Sequence, residues 1–228
     1  MSARITAVIA LGAVFATARA QDSTPLAGRM VRFFAPVIGL PVSTSSLHRG
    51  TAELAGAARV AIGYEALAYE SDEPIPARST LSTKDRTVGQ VLDLITTYEP
   101  RYTWREDGGV IHLRPATSLD DPRDTLNQAV ASFGLENARL SDALREVQFL
   151  LHPDWRNGGR LGSGPSPTGM GLRRFSVSEA NTTIIGVLDA IVKAHGSSSW
   201  QATYGDGNQS VPTLRLSFNT FDGWGTTQ

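Results

Sequence analysis

Residues Leu81–Trp104, LSTKDRTVGQVLDLITTYEPRYTW, align without a gap to Val177–Trp200, VSEANTTIIGVLDAIVKAHGSSSW, 96 residues further on. Seven of the 24 pairs are identical: Ser82/Ser178, Thr87/Thr183, Val91/Val187, Leu92/Leu188, Asp93/Asp189, Ile95/Ile191 and Trp104/Trp200. Unrelated stretches of ordinary composition share about one or two. Duplication is the better reading, and it sets the expected architecture of the whole chain. Within each copy, Val88, Val91, Leu92 and Ile95, and their counterparts Ile184, Val187, Leu188 and Ile191, have the spacing of a helix with one apolar face. Asp85 or Thr87 is expected to cap the first helix, and Asn181 or Thr182 the second. Pro100 should stop the former, and Gly196 suits the position just beyond the latter.

Working outward, each helix is followed by a hairpin pattern. Tyr102–Trp104 and Val110–Leu113 flank Asp107-Gly108-Gly109, a short turn signal. Trp200–Tyr204 and Leu214–Phe218 flank a longer loop. A second helix precedes each unit: Ser45–Ala61 in the first copy and a stronger one opening at Leu140, with Leu144, Val147, Leu150 and Leu151 on one face. Short strands are expected at Ile62–Leu67 and Ser132–Glu136. The order strand, helix, strand, strand, helix, strand, strand predicts an α+β chain of two tandem small modules, each with two helices packed against short mixed sheets, βαββαββ-like. If the modules are independent, each holds its own sheet around its own apolar seam, with Leu92 and Leu188 in matching surroundings.

The expected division is 1–20 signal peptide, 21–40 N-terminal segment, 41–116 first module, 117–128 linker, 129–220 second module and 221–228 tail. The signal follows from Arg4, the apolar run Ile5–Ala16, and small residues at Ala18 and Ala20 before Gln21. Twelve apolar residues are too few to span a bilayer comfortably, so a periplasmic or secreted protein without a later membrane span is expected. Pro115–Asp124, rich in Asp and Pro, reads as a linker of low burial. Residues 152–171 hold six glycines and read as an insertion in the second module. Its Trp155, Arg156 and Arg160 are candidate partner-binding residues on a loop.

Composition narrows the function. Lys plus Arg number 21 against 22 Asp plus Glu, with no basic cluster, so no nucleic-acid partner is expected. The absence of cysteine excludes disulfides, thiolate metal sites and a Cys nucleophile. Of the four histidines, His48, His112, His152 and His195, none has a ligand partner at metal spacing. His112, alternating with Ile111 and Leu113, is expected on a solvated strand face, and His195 at a helix C-terminus, where a cation suits the dipole. Gly162-Ser163-Gly164 lacks the outer glycines of a nucleophile elbow. Asp93 and Asp189 form a tempting carboxylate pair, but duplication accounts for their matching, and local capping or pairing is the expected role. No catalytic residue, cofactor or metal is expected. Trp104 and Trp200 suit half-buried strands, with a partner-binding face as the alternative.

Phe133-Gly-Leu-Glu-Asn-Ala-Arg-Leu-Ser-Asp-Ala-Leu-Arg-Glu-Val, Phe175–Asn181 and the Val187–Ile191 helix resemble the short N-terminal domain shared by outer-membrane secretins and TonB-dependent receptors. The resemblance covers the second copy well and the first loosely. It implies a βαββαββ fold and a non-catalytic periplasmic binding and assembly role, with signalling or inner-membrane proteins as partners. The ten residues after Phe218 are not expected to form a channel or barrel. The expected function is therefore a protein-interaction module of the envelope. Alternatives are an exported hydrolase whose site forms only in three dimensions, and a self-associating structural protein.

Overall fold

A computed structural model describes residues 25–31, 37–40, 44–67, 79–158, 173–205 and 213–221. The signal segment, Arg160 and most of the 152–171 insertion lie outside the described residues. The first half runs β1 (Val37–Leu40), α1 (Thr44–Ala58), β2 (Ile62–Glu65), β3 (Ser79–Ser82), α2 (Val88–Tyr98), β4 (Tyr102–Asp107) and β5 (Val110–Pro115). The second runs β6 (Ala129–Ala138), α3 (Leu140–Leu151), α4 (Trp155–Gly158), β7 (Phe175–Thr183), α5 (Ile184–His195), β8 (Ser198–Gly205) and β9 (Thr213–Thr220). The class is α+β. Helices α1 and α3 begin 96 residues apart, as do α2 and α5, β3 and β7, and β4 and β8.

Local chemistry explains these matching boundaries. Thr87 caps α2 in a capping box, its hydroxyl accepting the Gln90 N–H while the Gln90 side chain accepts the Thr87 N–H. Thr183 caps α5 through its hydroxyl alone, which accepts the Gly186 N–H, since a glycine at that position cannot complete a capping box. For the second helix the cap is Thr183, not the anticipated Asn181 or Thr182, and Asp85 and Asn181 stand outside the helices at left-handed φ of 59° and 51°; Asn and Asp tolerate that region better than most residues. Gly196 ends α5 at φ 74°, as its position suggested. Gly108 and Gly109, both at positive φ, make the tight turn between β4 and β5.

The strands form two small antiparallel pairs, β1–β3 and β6–β7, and one five-stranded sheet in the order β4-β5-β2-β8-β9. That sheet corrects the expectation of two separately sheeted bodies. Strand β2 lies parallel to β5 of its own half and parallel to β8 of the other, with Gly63 opposite both His112 and Trp200. Each half nevertheless keeps its own apolar cluster. Leu92 packs with Leu47, Leu54, Ile62, Tyr64, Ile111 and Leu113; Leu188 packs with Leu140, Val147, Val187, Ile191, Trp200 and Phe218. Both leucines are fully buried.

Strand alternation assigns the two clusters to opposite faces of the shared sheet. Ile62, Tyr64, Ile111 and Leu113 belong to the cluster of α1 and α2, whereas Val110 joins Trp200, Ala202 and the α5 side chains. The face of β5 that a lone module would leave wet is thus roofed by the second half, and all six residues of β5 are buried. His112, expected on a solvated face, is 2% exposed for this reason. The linker is also less loose than its composition suggests: a short 3-10 turn at Thr125–Asn127 buries Leu126 completely.

Candidate interaction site

The repeat produces the same side-chain clamp twice. In the first half, α2 presents Asp93 to β4, and Trp104 Nε1–H donates to Asp93 Oδ1 at 3.0 Å. In the second, α5 presents Asp189 to β8, and Trp200 Nε1–H donates to Asp189 Oδ1 at 2.8 Å. The helix caps set this geometry, because each Asp lies six residues after its capping Thr and each Trp eleven beyond the Asp. The matched aspartates are therefore partners of the matched tryptophans across helix and strand, not the local caps or pairs expected of them.

The surroundings of the two clamps differ. Trp200 is fully buried and lies over Gly63 of β2; a Cβ at Gly63 would stand 2.8 Å from Trp200 Nε1 and closer still to two ring carbons. The second oxygen of Asp189 pairs with His112 Nε2 on β5 at 2.9 Å. A His, an Asp and a Trp from both halves thus lock the junction. Trp200 is not a surface residue, which removes it as a contact for an outside partner: its partner is the other half of the same chain. Trp104 remains half-buried and Asp93 exposed, and β4 is the terminal strand of the sheet.

A second buried network crosses the junction. Arg114 of β5 and Glu65 of β2 are both fully buried and joined at 2.6 Å. Arg114 also donates to Asn127 Oδ1 at 2.9 Å and to Asp124 Oδ1 at 3.0 Å, while Tyr204 of β8 donates to Glu65 Oε1 at 2.9 Å. Asn127 in turn donates to the carbonyls of Ser118 and Asp121, both at 2.8 Å, which ties down the segment between the repeats. Burial outweighs the Arg114 charge and pushes the Glu65 carboxyl up to about 7. Burial beside Glu65 likewise raises the Tyr204 phenol. Glu65 is a perturbed carboxylate with no exposed surface. Through Arg114 and Tyr204 it ties β2 to β5 and to β8 of the other half. Gln201 adds a further tie, donating from β8 to the His48 carbonyl in α1.

Of the anticipated loop contacts, Trp155 stacks on His152 with ring centroids 4.1 Å apart. Arg156 pairs with Glu146 at 2.9 Å and lies over the Phe149 ring. Both therefore pack back onto α3. His195, expected to meet the helix dipole, is fully buried edge-on against Phe175. An open groove of about 560 Å³ runs along the β6–β7 pair, lined by Gly134, Leu135, Glu136, Ser176, Val177 and Ser178; its lining holds a single carboxyl group. Among the described residues no three His, Asp or Glu side chains converge as a metal set, and no helix is long and apolar enough to cross a membrane.

Sequence reasoning passed over Gly63, Glu65 and Arg114. A glycine inside a β-branched and aromatic strand pattern is a recognised sign of close approach, and that signal was present in Ile62-Gly63-Tyr64. No family model, no curated protein and no solved structure matches this chain.

Proposed function

We propose that the chain is an exported envelope protein that works without catalysis, as a module engaging a partner protein by strand addition at a sheet edge. The observation that carries this reading is the organisation of the central sheet. Its two halves are joined through strand edges, β2 against β8, and among the described residues no further strand pairs with the outer edges of β4 and β9. Unpaired edge groups are templates for an incoming strand. The βαββαββ order of the first half, and the resemblance of the second copy to an envelope assembly domain, support the same reading. The apolar segment ahead of Gln21 supports export.

The test uses photo-crosslinking side chains placed at Arg105 on β4 and Arg215 on β9, both exposed, with Arg145 on α3 as an off-edge control. The expected result is one recurrent envelope protein crosslinked from an edge position and not from Arg145. Mass measurement of the mature chain should show loss of residues 1–20. Folded protein that crosslinks nothing at either edge in intact cells overturns the interaction reading, and a retained N-terminus overturns export.

A further inference from the structure

We infer that the outer edge of β4 is the docking position for a parallel edge strand of another protein, recognised by Trp104 and Asp93 as Trp200 and Asp189 recognise β2. This rests on the interaction reading and specifies its site and the chemistry of the partner. The junction inside the chain is the template. Strand β8 receives β2 with Gly63 opposite Trp200, Tyr64 opposite Gln201 and Glu65 opposite Ala202, and Ala66 N–H donates to the Ala202 carbonyl at 2.8 Å. The residues 96 positions earlier are Trp104, Arg105 and Glu106 of β4. All belong to the terminal strand, and the clamp that grips β2 is repeated beneath them with the same bond from Trp to Asp.

Two features of the first clamp are those of the second without its occupant. Trp104 is half-exposed where Trp200 is fully covered. Asp93 holds the Trp104 N–H on Oδ1, and its second oxygen has no partner among the described residues, whereas that of Asp189 takes His112. The incoming strand is therefore defined by chemistry. By analogy with β2 it runs parallel to β4 and carries glycine opposite Trp104, as Gly63 stands opposite Trp200, where an added Cβ would meet the indole. The partner's following strand carries a histidine or other N–H donor across from that glycine, as His112 stands across from Gly63. A second copy of this chain does not supply this strand: its β2 already lies between β5 and β8, and its other glycine-bearing edge strands, β1 and β6, have Thr80 across from Gly39 and Ser178 across from Gly134 instead of an N–H donor. The occupant is an edge strand of a different protein.

The 3-10 turn at Leu26–Gly28 does not stand in the way. The backbone N–H groups of Leu26 and Ala27 donate to the Glu106 carboxylate. Arg29, just after this turn, accepts from Val88 N–H through its carbonyl; Gln128, just after the Thr125–Asn127 turn, accepts from Ile184 N–H in the same way. The second of these turns coexists with a strand docked on β8, so the first is compatible with one docked on β4.

The probe is a synthetic peptide of residues 59–67, RVAIGYEAL, added to the full-length 15N-labelled protein. The expected result is shifts in the amides of Tyr102–Asp107 and in the Trp104 indole N–H, with β8 and β9 unchanged. A Gly63→Val peptide should bind at least about tenfold more weakly, because its branched side chain cannot pass the indole; this change leaves the protein untouched and so carries no folding ambiguity. Trp104→Phe should weaken the native peptide while the circular dichroism spectrum is unchanged. Equal binding of the Gly63→Val peptide, or a silent β4 at millimolar peptide, overturns the assignment. Shifts at β8 or β9 overturn it as well. If β4 is silent while crosslinks from Arg215 still capture a partner, the docking position falls and the interaction reading stands; if neither responds, both fall.

Discussion

Replacing Gly63 by alanine tests the central junction directly. The added carbon would lie inside the contact distance of the Trp200 indole, which cannot swing away without breaking its bond to Asp189 and leaving the fully buried pocket. Forcing a methyl group into packed surroundings costs about 1–3 kcal/mol, and a rigid, hydrogen-bonded ring places this case near the upper end. Against that, alanine loses less backbone entropy on folding than glycine, a gain of roughly 0.5–1 kcal/mol. The net expectation is about 2 kcal/mol of destabilisation. For a chain of this size that corresponds to a fall of about 4–8 °C in Tm, read by calorimetry or by near-ultraviolet circular dichroism of the tryptophans. Trp200→Phe is itself destabilising because it removes the buried bond to Asp189, but in that background the further cost of Gly63→Ala should be smaller than in the wild type, because the indole portion that the new methyl group meets is gone. A Gly63→Ala protein melting at the wild-type temperature would falsify the close-packed junction.

Other outcomes follow from the same geometry. Arg114→Ala removes the cation shared by Glu65 and Asp124 and should cost about 3–5 kcal/mol in chemical denaturation, since it strands buried carboxylates. The Glu65 carboxyl is raised to about 7 in the folded protein, so the folded state holds this proton more tightly than the unfolded chain. Stability from this group is fully present below pH 4.5, falls as pH rises towards about 7, and is flat beyond, a change of up to about 3 kcal/mol. Denaturation midpoints across that window should show the slope in the wild type and lose it in Glu65→Gln. Thr87→Ala removes the first-half helix cap and should cost about 1 kcal/mol in the same assay.

The repeat was legible because helices advertise themselves locally. The stripe Val88, Val91, Leu92, Ile95 and its copy declare a buried face without reference to anything distant, and Gly108-Gly109 and Gly196 mark turns by backbone conformation alone. Parallel pairing of β2 with β8 has no comparable signal, because its partners lie more than a hundred residues apart and are joined by no hairpin. The misplacement of His112 follows from that gap: alternation identifies two faces of a strand, and only the tertiary partner decides that both are dry. Buried Glu65 and Arg114 were hidden for the same reason. The matched Asp and Trp residues were visible as pairs, but their mutual bond depends on how helix and hairpin fold back on each other.

The roof over β5 has a consequence for biogenesis. As the chain is made from its N-terminus, β4 and β5 emerge roughly eighty residues, and β2 well over a hundred, before Asp189 and Trp200 arrive to cover them. Throughout that interval a nascent first repeat shows water a Gly-centred strand edge and an ion pair meant for the interior. Pairings so distant along the polymer close slowly. The protein therefore reaches its final state late, when its last hairpin is threaded home, and until then its exposed edge is most open to capture by a chaperone or by a wrong neighbour.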